Sequence, residues 1–171
     1  MLELIFAIAV LLIGLLGYSR TLAESAELED LNRETAIATG AARQVVEAIY
    51  GAPFDEAYAR YNSEPADDAA LSGPAPGNLF AVDGLELVPG DADGNQGEIL
   101  FPTQPGGGGL ELREDLNQGE LGMPRDLDLD GVVDGNDHSL DYQLLPVLVR
   151  IQWQGAGRQR EFEVRTLVGV R

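Results

Sequence analysis

The part of this chain best suited to chemistry is one acidic stretch, Asp126-Leu-Asp-Leu-Asp-Gly-Val-Val-Asp-Gly-Asn-Asp137. Alternate residues of a tightly turned loop point inward, so Asp126, Asp128 and Asp130 can converge on one point. Gly131 stands where such a loop must turn sharply, and Val132 offers a backbone carbonyl. Asp134 can bind directly or through a water, and Asp137 is placed to close the ring. Carboxylates gathered this closely repel one another, and a hard cation that accepts many oxygen ligands relieves the repulsion. Calcium suits a flexible oxygen set better than magnesium, which demands near-ideal octahedral geometry. Calcium is therefore the expected cofactor, and its removal should leave the surrounding domain less stable. The alternative reading of the same residues is an acidic, solvated turn.

A weaker echo lies upstream. Asp91, Asp93 and Asn95, with Glu98 beyond them, could form a second calcium site, although Gly94 and Gly97 are displaced from the turn position such a loop wants. His138 adjoins the strong loop. With no second His and no Cys in the chain, a zinc site is not expected and His138 reads as a surface residue. The absence of Cys also removes disulfides and a thiolate nucleophile. The Gly-rich run Gln104–Gly109 lacks the Lys-Ser/Thr of a phosphate-binding loop and is followed by no helical pattern, so it reads as a flexible loop. No catalytic set emerges, and the expectation is that the chain is not an enzyme.

The 171 residues carry a net charge of -18, and their 11 basic residues are all Arg. The first twenty hold only Glu3 and Arg20, and most of the excess acid lies beyond residue 51. Such a charge argues against nucleic acid as a partner.

Two elements must position the loop. The first is a long N-terminal helix over residues 1–51: Glu3, an uncharged apolar run from Leu4 to Leu16, then an amphipathic part. Leu28, Leu31, Thr35, Ala38, Ala42, Val45 and Ile49 alternate at three and four, which puts them on one face. That face should bury against a sheet, and Gly51 with Pro53 stops the helix. The second element is a β-rich head over residues 52–171. It begins with a short helix at Pro53–Tyr61, whose Phe54, Tyr58 and Tyr61 face the core, and a loop to Asn78. Strands are expected over Phe80–Val88, with a turn at Asp83-Gly84, and over Glu98–Pro102. A C-terminal hairpin is expected over 144–170, turning at Gly155-Ala156-Gly157. Arg150, Arg158, Arg160 and Arg165 of that hairpin should face solvent or the acidic helices of neighbouring copies.

The apolar run has three readings. A secretory signal should open with basic residues, and this chain opens Met-Leu-Glu. An ordinary membrane anchor wants about 20 apolar residues, more than the run supplies. The third reading is a resemblance. An acid just inside the N-terminus, an apolar helix continuing directly into an amphipathic one, and the segment QVVEAIYGAPFDEAYARYN at its end resemble type IV pilins and type II secretion pseudopilins. The resemblance implies an α+β, pilin-like fold, a long N-terminal helix packed on a small antiparallel sheet. It also implies a homo-oligomeric helical filament, with residence in the inner membrane before assembly and delivery by pilus or secretion machinery to the cell surface. In that family Met1 would be the first mature residue, and its amino group would pair with the acid, here Glu3, of a neighbouring copy. Gly14–Ser19 would be where the helix opens in the filament. The acidic loop follows the EF-hand pattern, and its Asp at position twelve resembles dockerin modules. A dockerin has two such loops and binds a cohesin; this chain has one. The second functional reading is accordingly a membrane-anchored, calcium-dependent binding module.

Overall fold

A computed structural model describes residues 2–170. One helix, α1 (Leu2–Gly51), runs 50 residues without a break, about 75 Å at 1.5 Å per residue. Residues 14–19 are helical in the isolated chain, with Ser19 and Thr21 donating their hydroxyls to the carbonyls of Leu15 and Gly17. Met1 lies outside the described residues; Glu3 is exposed in the first turn.

The fold is α+β: the C-terminal part of α1 packs on a small antiparallel sheet. After a short α2 (Phe54–Tyr61) come β1 (Leu79–Phe80), β2 (Gly97–Leu100), β3 (Thr103–Gly106), β4 (Gly109–Leu112), β5 (Leu144–Gly155) and β6 (Arg158–Gly169). The main sheet has the order β1-β2-β5-β6, and β3-β4 form a separate hairpin. The β5–β6 turn is Ala156-Gly157, both at positive φ (44° and 76°), the backbone that matches the twist of a two-residue hairpin.

The core forms between α1 and this sheet. Ala38, Ala42 and Ile49 of α1 are buried against Val147, Val149, Ile151 and Trp153 of β5 and Val168 of β6. The two alanines let the helix backbone approach the sheet. The expected stripe is too long at its start: Leu28 is 59% exposed, and Thr35 is exposed and bonds Leu31 instead. Packing takes hold where Glu34 accepts the Trp153 indole N–H (2.9 Å). At the other end Tyr50 reaches Thr166 (2.8 Å). α2 closes the core with Tyr58, which meets Phe101 edge-on and lies beside Tyr142.

Three expectations about the head differ from the structure. Apart from a single isolated bridge from Glu86 to Gln154, only Phe80 of the proposed 80–88 strand lies in a strand, β1. Beyond it the Gln96 side chain takes over the partner's role, accepting from the Val82 amide and donating to the Leu85 carbonyl. The segment at 104–109 is not a flexible loop but the tip of the β3–β4 hairpin, with Pro105 in a two-stranded ribbon that makes few demands on its missing N–H. Arg150 and Arg160 do not point free: Arg150 pairs with Glu163 and Glu120, and Arg160 lies 3.7 Å from Glu34 of the same chain.

Candidate metal centre

The acidic loop is carried between the β3–β4 hairpin and the start of β5. Leu127, fully buried, anchors its entry, and the Leu127 carbonyl accepts from the amides of Gln143 and Leu144 (2.7 and 2.9 Å). From there the chain turns tightly. Leu129 sits at φ 62° and Gly131 at φ 90°. Gly131 tolerates this conformation; Leu129 pays for it in steric strain of about 1–2 kcal/mol. Asp126 compensates, because its carboxylate accepts the amides of both residues (2.6 and 2.8 Å). Asp128 and Asp130 cap the next amides, those of Asp130 and Val132 (3.1 and 2.7 Å).

This local winding brings Asp126, Asp128 and Asp130 together. One carboxylate oxygen from each lies within 4.8 Å of the other two. Two oxygens that each bind one calcium at about 2.4 Å can be no more than about 4.8 Å apart, and the three meet that distance condition. Carboxylate oxygens keep lone pairs after accepting one amide, so the bonds just described do not exhaust them. The electrostatics agree with a cation-binding donor set. At Asp128 the hydrogen bond from the Asp130 amide favours the charged form, but burial and the charges of Asp130 and Glu114 outweigh it and raise the pKa. A divalent ion bound at that point would supply the compensating positive charge.

The second half of the loop is arranged differently from expectation. Asp134 turns toward Asn136 and His138: its carboxylate accepts the Asn136 amide and side-chain N–H (both 2.7 Å) and faces His138 Nε2 at 3.3 Å. These hydrogen bonds, that of the Asn136 amide first, hold its pKa below the ordinary value. Asp137 does not close the site. Its Oδ1 accepts the amides of Leu112 and Ser139 (3.0 Å each), and its Oδ2 accepts the Ser139 hydroxyl. The loop's exit segment lies against Leu112 of β4, and Asp137 is used there as a cap. Val132 follows Gly131 directly around the turn.

Two residues absent from the expected donor set lie buried against the loop. Glu114, fully buried, inserts beneath the loop. His138 is 5% exposed, not a surface residue, and its ring nitrogens face Asp134, Asp141, Glu114 and Asp128. Burial, the largest influence, would depress its pKa; the hydrogen bond it donates to Asp134, the Glu114 charge and Asp141 together outweigh that and raise it. Glu114, Asp128 and His138 form a second group with ligand atoms within 4.8 Å of one another. Glu114 was legible in one respect: Leu110, Leu112 and Glu114 continue a period-two alternation. No pattern in the sequence marks His138 as buried.

The upstream echo is not assembled. Asp91 and Asp93 are exposed, each capping an amide two residues on. Glu98 is half-buried in β2, opposite Arg150 of β5, and Asp91, Asp93 and Glu98 do not gather as the strong loop's donors do.

Comparison of the chain with family models, with curated proteins and with solved structures gives no match.

Proposed function

We propose that this protein is the structural subunit of an extracellular filament of the type IV pilus or pseudopilus kind, with a head stabilised by calcium. One observation carries the reading. From residue 3 to residue 30 every side chain of α1 is exposed, including Leu4, Ile5, Phe6, Ile8, Val10, Leu11, Leu12, Ile13, Leu15 and Leu16. The same helix continues into the packed head without a joint. Full burial of such side chains is worth about 1.5–3 kcal/mol each, on the order of 15–30 kcal/mol for the ten. A monomer in water forgoes all of it. A bundle of α1 helices recovers it, with lipid as the storage phase before assembly; the helix is long and apolar enough to cross a membrane. In the filament Glu3 would need a charge partner, since a carboxylate among apolar helices is costly alone. The Met1 amino group of a neighbouring copy is the partner the reading supplies.

Calcium would offset most of the charge of Asp126, Asp128 and Asp130 and stiffen the turn before the β5–β6 hairpin, with the Val132 carbonyl as a further donor. Filament assembly is tested by removing detergent from the full chain and sedimenting the product. The expected product is a pelletable polymer, lost when Leu11 and Ile13 are changed to Ser. A second reading uses the same exposed helix as a membrane anchor for a calcium-dependent binding module. Deleting residues 1–20 separates the two: an anchored module keeps its partner binding, whereas a filament subunit loses polymerisation.

A further inference from the structure

We propose that Glu114 is the positioning residue of the metal loop, preforming it from outside by holding both of its arms to the β3–β4 platform. The inference deepens the calcium reading and rests on it. The four residues Leu112–Asp115 run directly beneath the loop. The Leu112 amide donates to Asp137 Oδ1 (3.0 Å), and the Leu112 carbonyl accepts the His138 amide (2.9 Å). Gly135 lies so close to Arg113 that a Cβ there would stand 2.5 Å from the guanidinium. Glu114 is the centre of this platform. Its Oε1 accepts the amides of Leu127 and Asp128 (2.5 and 3.3 Å), on the entry arm. Its Oε2 accepts the Asp134 amide (3.1 Å), on the exit arm, and lies 3.8 Å from His138 Nε2.

A fully buried carboxylate is tolerated only when its charge is satisfied by hydrogen bonds or a partner. Glu114 takes that satisfaction from three backbone amides and an imidazole. The amides belong to the loop that bears the donors, so the anion templates the backbone without engaging the side chains of Asp126, Asp128 and Asp130. The arrangement also argues against Glu114 as a ligand. Its Oε1 already accepts two amides, which occupies both of its lone pairs. Its Oε2 accepts a third amide and faces His138, and the two nitrogens of His138 face carboxylates on opposite sides. The Glu114–Asp128–His138 group is therefore a brace for the neighbouring site.

The test uses the full chain in detergent, with calcium titration by calorimetry and amide hydrogen exchange of the peptide spanning 126–138 in chelator. In Glu114→Gln the side-chain NH2 opposes an amide N–H, so one arm is released. The expected result is a 10- to 100-fold loss of calcium affinity, the range typical of outer-shell changes, with faster exchange across 126–138 even without metal. A residue that only fills the core would not change exchange and affinity together in this way. Glu114→Asp keeps the charge but loses reach; it should bind calcium with an affinity between parent and Gln variant, and it serves if the Gln variant fails to fold. Parent-like affinity in either folded variant overturns the inference and leaves the calcium reading standing. A parent chain that binds no calcium overturns both.

Discussion

The contact that fixes α1 on the head can be tested by a single substitution, Glu34→Ala. Glu34 is 15% exposed at its side chain. It accepts the indole N–H of Trp153, itself 3% exposed, and it lies 3.7 Å from the Arg160 guanidinium. Gly155 makes room for it, since a Cβ there would fall 2.3 Å from the Glu34 carboxylate. Arg160 Nε has no hydrogen-bond partner among the described residues, so this nearby charge is its main compensation. Removing the carboxylate strands a buried indole donor, which costs about 1–3 kcal/mol. It also withdraws the Arg160 ion pair. That pair is worth at most about 4.5 kcal/mol at this distance and an effective dielectric of 20, and desolvation cancels most of it. The net loss should be about 2–4 kcal/mol, or about 5–15 °C in Tm for a chain of this size. Glu34→Gln keeps an acceptor for Trp153 and should lose about half as much. The chain has one Trp, so thermal unfolding followed by its fluorescence reads this contact directly. If Glu34→Ala melts with the parent and leaves the emission unshifted, the helix is not held to the sheet by this contact and the packing argument fails.

Three further outcomes are expected. Chelation should lower the Tm of the head; at calcium a hundredfold above Kd the stabilisation is about 2.7 kcal/mol, and Asp128→Asn should shrink the difference between calcium and chelator. Equal melting in both would refute the metal reading. Leu11→Ser with Ile13→Ser should abolish polymer formation while leaving the head Tm unchanged, because both side chains are exposed (67% and 71%); a lowered Tm would show that they pack on the head. Burial raises the Glu98 pKa, and Asp93 adds to it against the pull of Arg150. An acid whose folded pKa is raised destabilises the fold above that value and ceases to do so as pH falls through it. Glu98→Gln should therefore raise Tm at pH 7, with the gain shrinking as pH falls through the raised value toward the ordinary 4.5 and absent below it; a lower Tm at pH 7 in the presence of calcium would instead restore Glu98 as a ligand.

Local signals in the sequence foretold the elements whose cause is local. Gly51 and Pro53 end α1, Ala156-Gly157 turns the hairpin, and the alternation from Val147 to Trp153 marks the strand that lies on the helix. The convergence of Asp126, Asp128 and Asp130 is likewise a property of a short winding. What was not legible depends on distant partners. The fate of Asp137 is decided by the Leu112 amide, 25 residues away. His138 is buried because Glu114 and the turns that carry Asp128, Asp134 and Asp141 close around it, a setting no spacing encodes. Leu28 and Thr35 keep the helical period but stay exposed, so periodicity alone overestimates the buried stripe. Gln96 replaces a strand with its side chain, and that substitution leaves no trace in an alternation pattern.

Electron cryomicroscopy of the assembled full chain, with and without a calcium chelator, tests the central claim most directly. The account predicts helical filaments whose core is a bundle of α1 apolar segments, with heads outward and density among Asp126, Asp128 and Asp130 that chelation removes. Discrete membrane-bound particles under both conditions, with no filament, would contradict it.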